Sequence, residues 1–181
     1  MTTEARRAQV LAAAADVFAR TAITPAALAG LARMSKDEII EELIAQHMEQ
    51  TFTLLQQIKA VPGPLLESLI DAVAAGVEQN LAAEPGAVEL ELMAEAVRNP
   101  KVADALRSAD ALARRQTREL LTGPRGTLRH CDADELESRI EVLFALFGGM
   151  RIRALKNPAL KHDALIAVLL PVVRMVLTPA S

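Results

Sequence analysis

The stretch MSKDEIIEELIAQHM, residues 34–48, indicates the fold class of this chain. Glu38 stands three residues after Ser35, which is the capping-box pattern that opens helices. Apolar residues then recur at helical spacing, and no glycine or proline appears before Pro62. The pattern predicts helix over 36–59 and leaves open whether these residues form one helix or two.

Proline and glycine divide the remainder of the chain into further helical segments. Trp and Tyr are absent, alanine and leucine dominate, and the alternating patterns typical of strands are scarce. We therefore predict an all-α fold. Besides the helix at 36–59, the predicted helices are 4–21, 25–32, 64–82, 85–98, 101–121, Asp132 or Asp134 to Lys156, and 162–177.

The run VPGP at 61–64 is the clearest boundary in the sequence. It predicts a small N-terminal unit of three or four helices over 1–60 and a larger helical bundle over 61–181. The last two predicted helices are strongly apolar, and exposing both would leave a large apolar patch on a monomer. We therefore expect a homodimer that buries them as a four-helix interface across a two-fold axis.

Charge and composition narrow the class of function. The chain of 181 residues carries 20 Lys and Arg against 23 Asp and Glu, which is unlike a protein that binds nucleic acid by bulk charge. Four Phe are its only aromatic residues, so it lacks the stacking platforms of single-strand binders. The most apolar run, 164–177, is short for a membrane span, and the N-terminal residues show no apolar core of a signal peptide. We expect a cytoplasmic protein without membrane association.

Residues with catalytic or metal-binding chemistry are sparse. Cys131 is the single cysteine, so its neighbours His130 and Asp132 lack the second cysteine of a typical zinc site. His47 and His162 are expected at the surface. Because no nucleophile triad, phosphate loop or metalloprotease motif is present, we expect no enzymatic activity, no metal and no cofactor.

A group of apolar side chains on the predicted helices of the bundle has two interpretations. Met93, Phe144, Phe147 and Met150 either line a cavity for a small apolar ligand or fill the core of the bundle. Helical spacing is the same in both cases, so the sequence leaves the two interpretations open.

The order of these segments resembles that of the TetR family of bacterial transcriptional regulators. The likeness is carried by VLAAAADVF (10–18), LAGLARMSKDEI (28–39), LELMAEAVRNPKVADAL (90–106) and IEVLFALFGGMRIRALKNP (140–158), which together span most of the chain. The resemblance implies an N-terminal helix-turn-helix unit that binds DNA. It also implies a C-terminal regulatory domain that dimerises and takes a small ligand.

The segment at the position of the recognition helix departs from the family pattern. Arg33 replaces the glycine of the turn, and Glu41 and Glu42 stand where His or Tyr is usual. Within residues 35–50, one lysine and five carboxylates give a net charge of -4. Because affinity for duplex DNA comes largely from cationic contacts with phosphates, we expect direct DNA binding to be weakened or lost. If DNA binding is retained, the resemblance to the TetR family assigns it to Arg6, Arg7, Arg33, Ser35 and Lys36.

The same carboxylates support an alternative function of a different class. Glu38, Glu41, Glu42 and Glu49 would form an acidic face that docks on a basic surface of a protein partner. The chain would then have given up DNA and would regulate by protein–protein interaction, as an anti-activator does. Asp37 and Glu38 are also explained by position alone, since carboxylates in a first helical turn favour the helix dipole.

Overall fold

The computed structural model describes residues 36–80 and 83–179, which form six helices and no strand. The predicted all-α class is confirmed for this part of the chain, and the helices predicted at 4–21 and 25–32 lie outside it. None of the described helices is long and apolar enough to span a bilayer. The six are α1 (Lys36–Ala60), α2 (Leu65–Asn80), α3 (Ala83–Ala96), α4 (Pro100–Thr122), α5 (Ala133–Lys156) and α6 (His162–Leu177).

Helix α1 is one unbroken helix of 25 residues. The question that the sequence left open is thereby answered in favour of a single helix. The chain turns beyond its end at Gly63, whose φ of 109° lies in the left-handed region that favours glycine. Arg125 fixes this turn, because its Nε donates to the Gly63 carbonyl at 2.9 Å and its Nη1 donates to the Lys59 carbonyl at 3.0 Å. The second bond satisfies a carbonyl that a helix end leaves without an intrahelical partner.

Both ends of α1 are buried against α4. Ile44 packs with Val102 near the start of α4, and Ile58 packs with Leu120 near its end. The two helices therefore lie side by side and run in the same direction, so α1 is part of the packed bundle despite the turn that follows it. The division of the chain into an N-terminal and a C-terminal unit stays a prediction, because the residues before Lys36 lie outside the described part.

Local sequence signals mark the beginning of α4 and of α5. The Asn99 side chain accepts a hydrogen bond from the Lys101 backbone N–H at 3.1 Å, with Pro100 as the first helical residue of α4. The Asp132 side chain accepts one from the Glu135 N–H at 2.9 Å. Of the two caps that the sequence allowed for α5, Asp132 is therefore the one used.

The main core is formed by α2, α5 and α6 together with the end of α4 and the loop that follows it. Five side chains in it are at most 1% exposed: Val77, Leu121, Leu128, Ile140 and Val173. Leu128 belongs to the loop, and its backbone N–H donates to the Leu121 carbonyl at 3.1 Å. The loop after α4 therefore covers one end of this core.

Helices α5 and α6 form an antiparallel pair. Arg139, near the start of α5, donates from Nη1 to the carbonyl oxygens of Val176 at 2.6 Å and Thr178 at 2.9 Å, at the end of α6. Its side chain is 17% exposed and also pairs with Glu135. The Arg139 guanidinium thus occupies the C-terminal end of α6, where a positive charge is favoured by the helix dipole.

Candidate interaction surfaces

One side of α1 is acidic and open to solvent. Four glutamates are exposed, and we call them the acidic face: Glu38, Glu41, Glu42 and Glu49. Separations of three, four and seven residues place such side chains over successive turns of one side of a helix. Ile40 and Ile44 point the other way and are buried. The helix is therefore amphipathic, with a charged rather than merely polar outer side.

Several carboxylates elsewhere on the bundle surface are paired with arginine. Arg174 on α6 binds Glu67 on α2 through hydrogen bonds of 2.7 and 2.9 Å, which hold the pKa of that carboxyl below its ordinary value. On α4, Arg118 donates from Nε to the Glu137 carboxylate at 2.6 Å. Glu67 and Glu137 thus join neighbouring helices.

The acidic face differs from these paired carboxylates. Within residues 36–80 and 83–179, Glu41, Glu42 and Glu49 make no ion pair. Their negative potential is not cancelled by an arginine or lysine of that part of the chain. Such a surface repels DNA phosphates and attracts a basic partner.

Four of the five residues that the resemblance to the TetR family assigns to DNA contact lie outside the described part of the chain. These are Arg6, Arg7, Arg33 and Ser35. Lys36 is the first residue of α1. The assignment of these residues to DNA binding therefore stays a prediction.

The last two helices expose an apolar surface, which we call the α5–α6 face. On α6, Ala164, Val168, Pro171 and Met175 recur at intervals of three or four residues and are all exposed. Val168 and Met175 are each 67% exposed, and Val142 on the neighbouring α5 is 46% exposed. Apolar side chains in a regular stripe on one helix side are typical of helix–helix interfaces.

The residues of the predicted ligand pocket are divided between core and surface. Met150 is 8% exposed, and Phe144 and Phe147 pack half-buried against the same main core. Met93 is instead 54% exposed, because Leu92 and its neighbours take the positions of α3 that pack against α1 and α4. The structure therefore brings three of the four residues together and leaves Met93 at the surface. A ligand cavity stays a prediction.

Sequence reasoning missed the charged groups that act on His47 of α1. His47 is accessible to solvent, as predicted, but it follows Ile40 and Ile44 on the stripe that faces the bundle. Burial lowers the pKa of its imidazole, and the charge of Arg151 lowers it further, while Glu89 acts in the opposite direction. The signal for this was the spacing of His47, which is in register with the buried isoleucines.

The two charged residues that act on His47 come from two further helices. Arg151 on α5 binds Glu89 on α3 at 3.3 Å, with side chains that are 22% and 27% exposed. A Cβ atom at Gly148 of α5 would lie 3.8 Å from Glu89 Oε1, which is an ordinary van der Waals contact. The charges of this ion pair act on His47 of α1, as the shift of its pKa shows.

A metal site is not formed by the described residues. No group of three or more His, Cys, Asp and Glu side chains in residues 36–80 and 83–179 has the arrangement of a metal site. The carboxylate of Asp132, in the His130–Asp132 run, instead caps α5.

No protein-family model, curated protein or solved structure matches this chain.

Proposed function

We propose that this chain is a homodimeric, TetR-like transcriptional regulator in which direct DNA binding is weakened or lost. The likeness of its sequence segments to the TetR family supports the class of regulator. The proposal that DNA binding is weakened or lost rests on the acidic face, which is exposed on one unbroken helix. Because a recognition helix positions itself through donors to phosphates, four outward glutamates at this place oppose docking on a duplex.

A second candidate function is favoured because Glu41, Glu42 and Glu49 form no ion pair with the part of the chain that the structure describes. Glu67, Glu137 and Glu141 bind arginines of neighbouring helices, whereas Glu41, Glu42 and Glu49 have no such pair within the described residues and are available to a second molecule. The partner of matching chemistry is a protein with a basic surface, such as the DNA-binding region of another regulator. In this case regulation proceeds by occupying that region.

The double substitution Glu41→Lys and Glu42→Lys separates these two functions. If α1 still approaches DNA, removing two carboxylates and adding two cations should tighten binding to duplex DNA at low salt by about tenfold or more, and should steepen its salt dependence. Binding would be followed by fluorescence anisotropy on promoter and random-sequence duplexes across a salt series. The wild-type protein is expected to bind weakly and with little preference for sequence.

A control with the same net charge is Asp71→Lys with Glu91→Lys, since both side chains are exposed on other helices. An equal gain in DNA affinity from this control would mean that bulk charge, and not the acidic face, sets the affinity. If neither the wild type nor the Glu41/Glu42 variant binds DNA, the first function is contradicted. The second function, binding of a protein partner, is then favoured. Tight, sequence-specific binding of DNA by the wild type would contradict the proposal that direct DNA binding is weakened.

The proposed dimer is tested with Val168→Glu on the α5–α6 face. Burying a carboxylate without a partner in an apolar interface should weaken dimerisation by at least about tenfold. Sedimentation equilibrium would measure the dimer dissociation constant. Val97→Glu is the matched control, because Val97 is 88% exposed in the turn after α3 and belongs to neither α5 nor α6. A wild-type chain that stays monomeric at high concentration, or equal effects of both substitutions, would contradict the interface.

A further inference from the structure

The loop after α4, residues 123–132, contacts two parts of the described fold that belong to different apolar clusters. The end of α1 belongs to the smaller cluster, in which Ile58 packs with Leu65 and Leu120. The loop itself contributes Leu128 to the main core. A contact between the loop and α1 therefore joins the main core to a helix end that packs elsewhere.

The side chain of Arg125 makes this contact. Its Nε donates to the Gly63 carbonyl at 2.9 Å, and its Nη1 donates to the Lys59 carbonyl at 3.0 Å. One planar guanidinium thus binds both the last turn of α1 and the turn that follows it. Hydrogen bonds from a charged donor are stronger than neutral ones, and the rigid fork of arginine fixes the two acceptors relative to each other.

The backbone on which Arg125 stands is fixed by the end of α4 and by the main core. The Gly126 N–H donates to the Gly123 carbonyl at 2.8 Å, and the Leu128 N–H donates to the Leu121 carbonyl at 3.1 Å. The Leu128 side chain is fully buried in the main core. The position of Arg125 is therefore set by how Leu128, three residues later, packs in that core.

We propose that Arg125 couples the end of α1 to the main core, so that a displacement of the loop after α4 releases the last turn of α1. Because a donor and an acceptor about 3.6 Å apart no longer form a hydrogen bond, a loop shift of about 1 Å breaks both contacts of Arg125. The acidic face lies on this same helix, so the packing of the main core acts on the helix that carries it. The coupling does not depend on the proposed function, because it concerns only how α1 is held in its own chain.

The experiment is amide hydrogen exchange on the full chain with Arg125→Met. Protection factors of the amides at 57–61 should fall by about 10- to 100-fold relative to those of α5, because two bonds from a charged donor are lost. The Val61 N–H, which donates to the Gln57 carbonyl at 3.2 Å, reports on this helix end. Arg125→Lys keeps the charge but not the fork, so it should recover only part of the protection.

Lys59→Met is the matched control for the loss of a positive charge at this place. It removes the cation in the last turn of α1 and leaves the Lys59 carbonyl in place. The loss of its interaction with the helix dipole should lower protection at 57–61 by less than about fivefold. Unchanged protection at 57–61 in Arg125→Met, or an equal fall in Lys59→Met, would overturn the coupling. An equal fall at 57–61 and in α5 would overturn it as well.

The route through the loop is tested with Leu128→Val, which keeps an apolar side chain in the main core. In the wild-type background it should lower protection at 57–61 by about threefold or more relative to that of α5. In the Arg125→Met background the same substitution should have little further effect, since the contact that transmits the shift is already lost. Equal effects of Leu128→Val on 57–61 in both backgrounds would contradict the coupling.

Discussion

The substitution Gly126→Ala is expected to lower the free energy of unfolding by about 3 kcal/mol, because the loop after α4 leaves no room for a side chain. A Cβ atom at this position would overlap the carbonyl group of Leu121 and would lie 2.9 Å from the Thr122 backbone nitrogen. These are backbone atoms at the end of α4, so they cannot move aside as the tip of a flexible side chain can. The loop itself would have to shift.

A shift of this loop has consequences for two other parts of the fold. The Gly126 N–H donates to the Gly123 carbonyl at 2.8 Å, which closes the turn. Leu128 follows at 0% exposure in the main core, and Arg125 holds the turn after α1. Displacing Gly126 therefore disturbs the core and the end of α1 together. Urea unfolding followed by circular dichroism would measure the loss.

The matched control is Gly148→Ala in the interior of α5. A Cβ atom there would meet nothing closer than Glu89 Oε1 at 3.8 Å, which is an ordinary van der Waals contact. Because glycine inside a helix is less favourable than alanine, this substitution should raise the free energy of unfolding by about 0.5–1 kcal/mol. A loss below about 1 kcal/mol in Gly126→Ala, or losses of equal size at both positions, would contradict the packing of the loop.

The substitution Arg139→Met is expected to lower the free energy of unfolding by about 2–3 kcal/mol, since hydrogen bonds to charged groups are worth more than neutral ones. Arg139 Nη1 donates to the carbonyls of Val176 and Thr178, and more weakly to Met175 at 3.3 Å. Methionine keeps the apolar stem but leaves these carbonyl oxygens at the end of α6 without their donor. It also leaves the Glu135 carboxylate unpaired.

Two further variants identify the cause of this loss. Arg139→Lys restores one positive charge but not the planar group that reaches several oxygens, so it should recover only part of the stability. Arg153→Met removes an exposed cation from the last turn of the same helix and should change stability by no more than about 0.5 kcal/mol. If Arg139→Met were no worse than Arg153→Met in urea unfolding, Arg139 would not hold the end of α6.

The sequence by itself determined the helices of the described chain and most of their limits. Asn99 and Asp132 cap α4 and α5, and the turn at Gly63 follows α1, as their positions in the sequence predicted. These signals are local, because a cap or a turn depends on hydrogen bonds and dihedral angles within a few residues. The outward direction of the acidic face followed for the same reason, since it is set by helical spacing from the buried isoleucines.

Only the tertiary structure decided which distant residues meet. The sequence placed His47 at the surface, where it lies, but only the packing decided that Glu89 of α3 pairs with Arg151 of α5. Spacing alone could not separate Met93, which is exposed, from Met150, which is buried. The physical reason is that helical periodicity fixes the side of a helix on which a residue lies. The neighbour on that side is fixed by how helices far apart in sequence pack against one another.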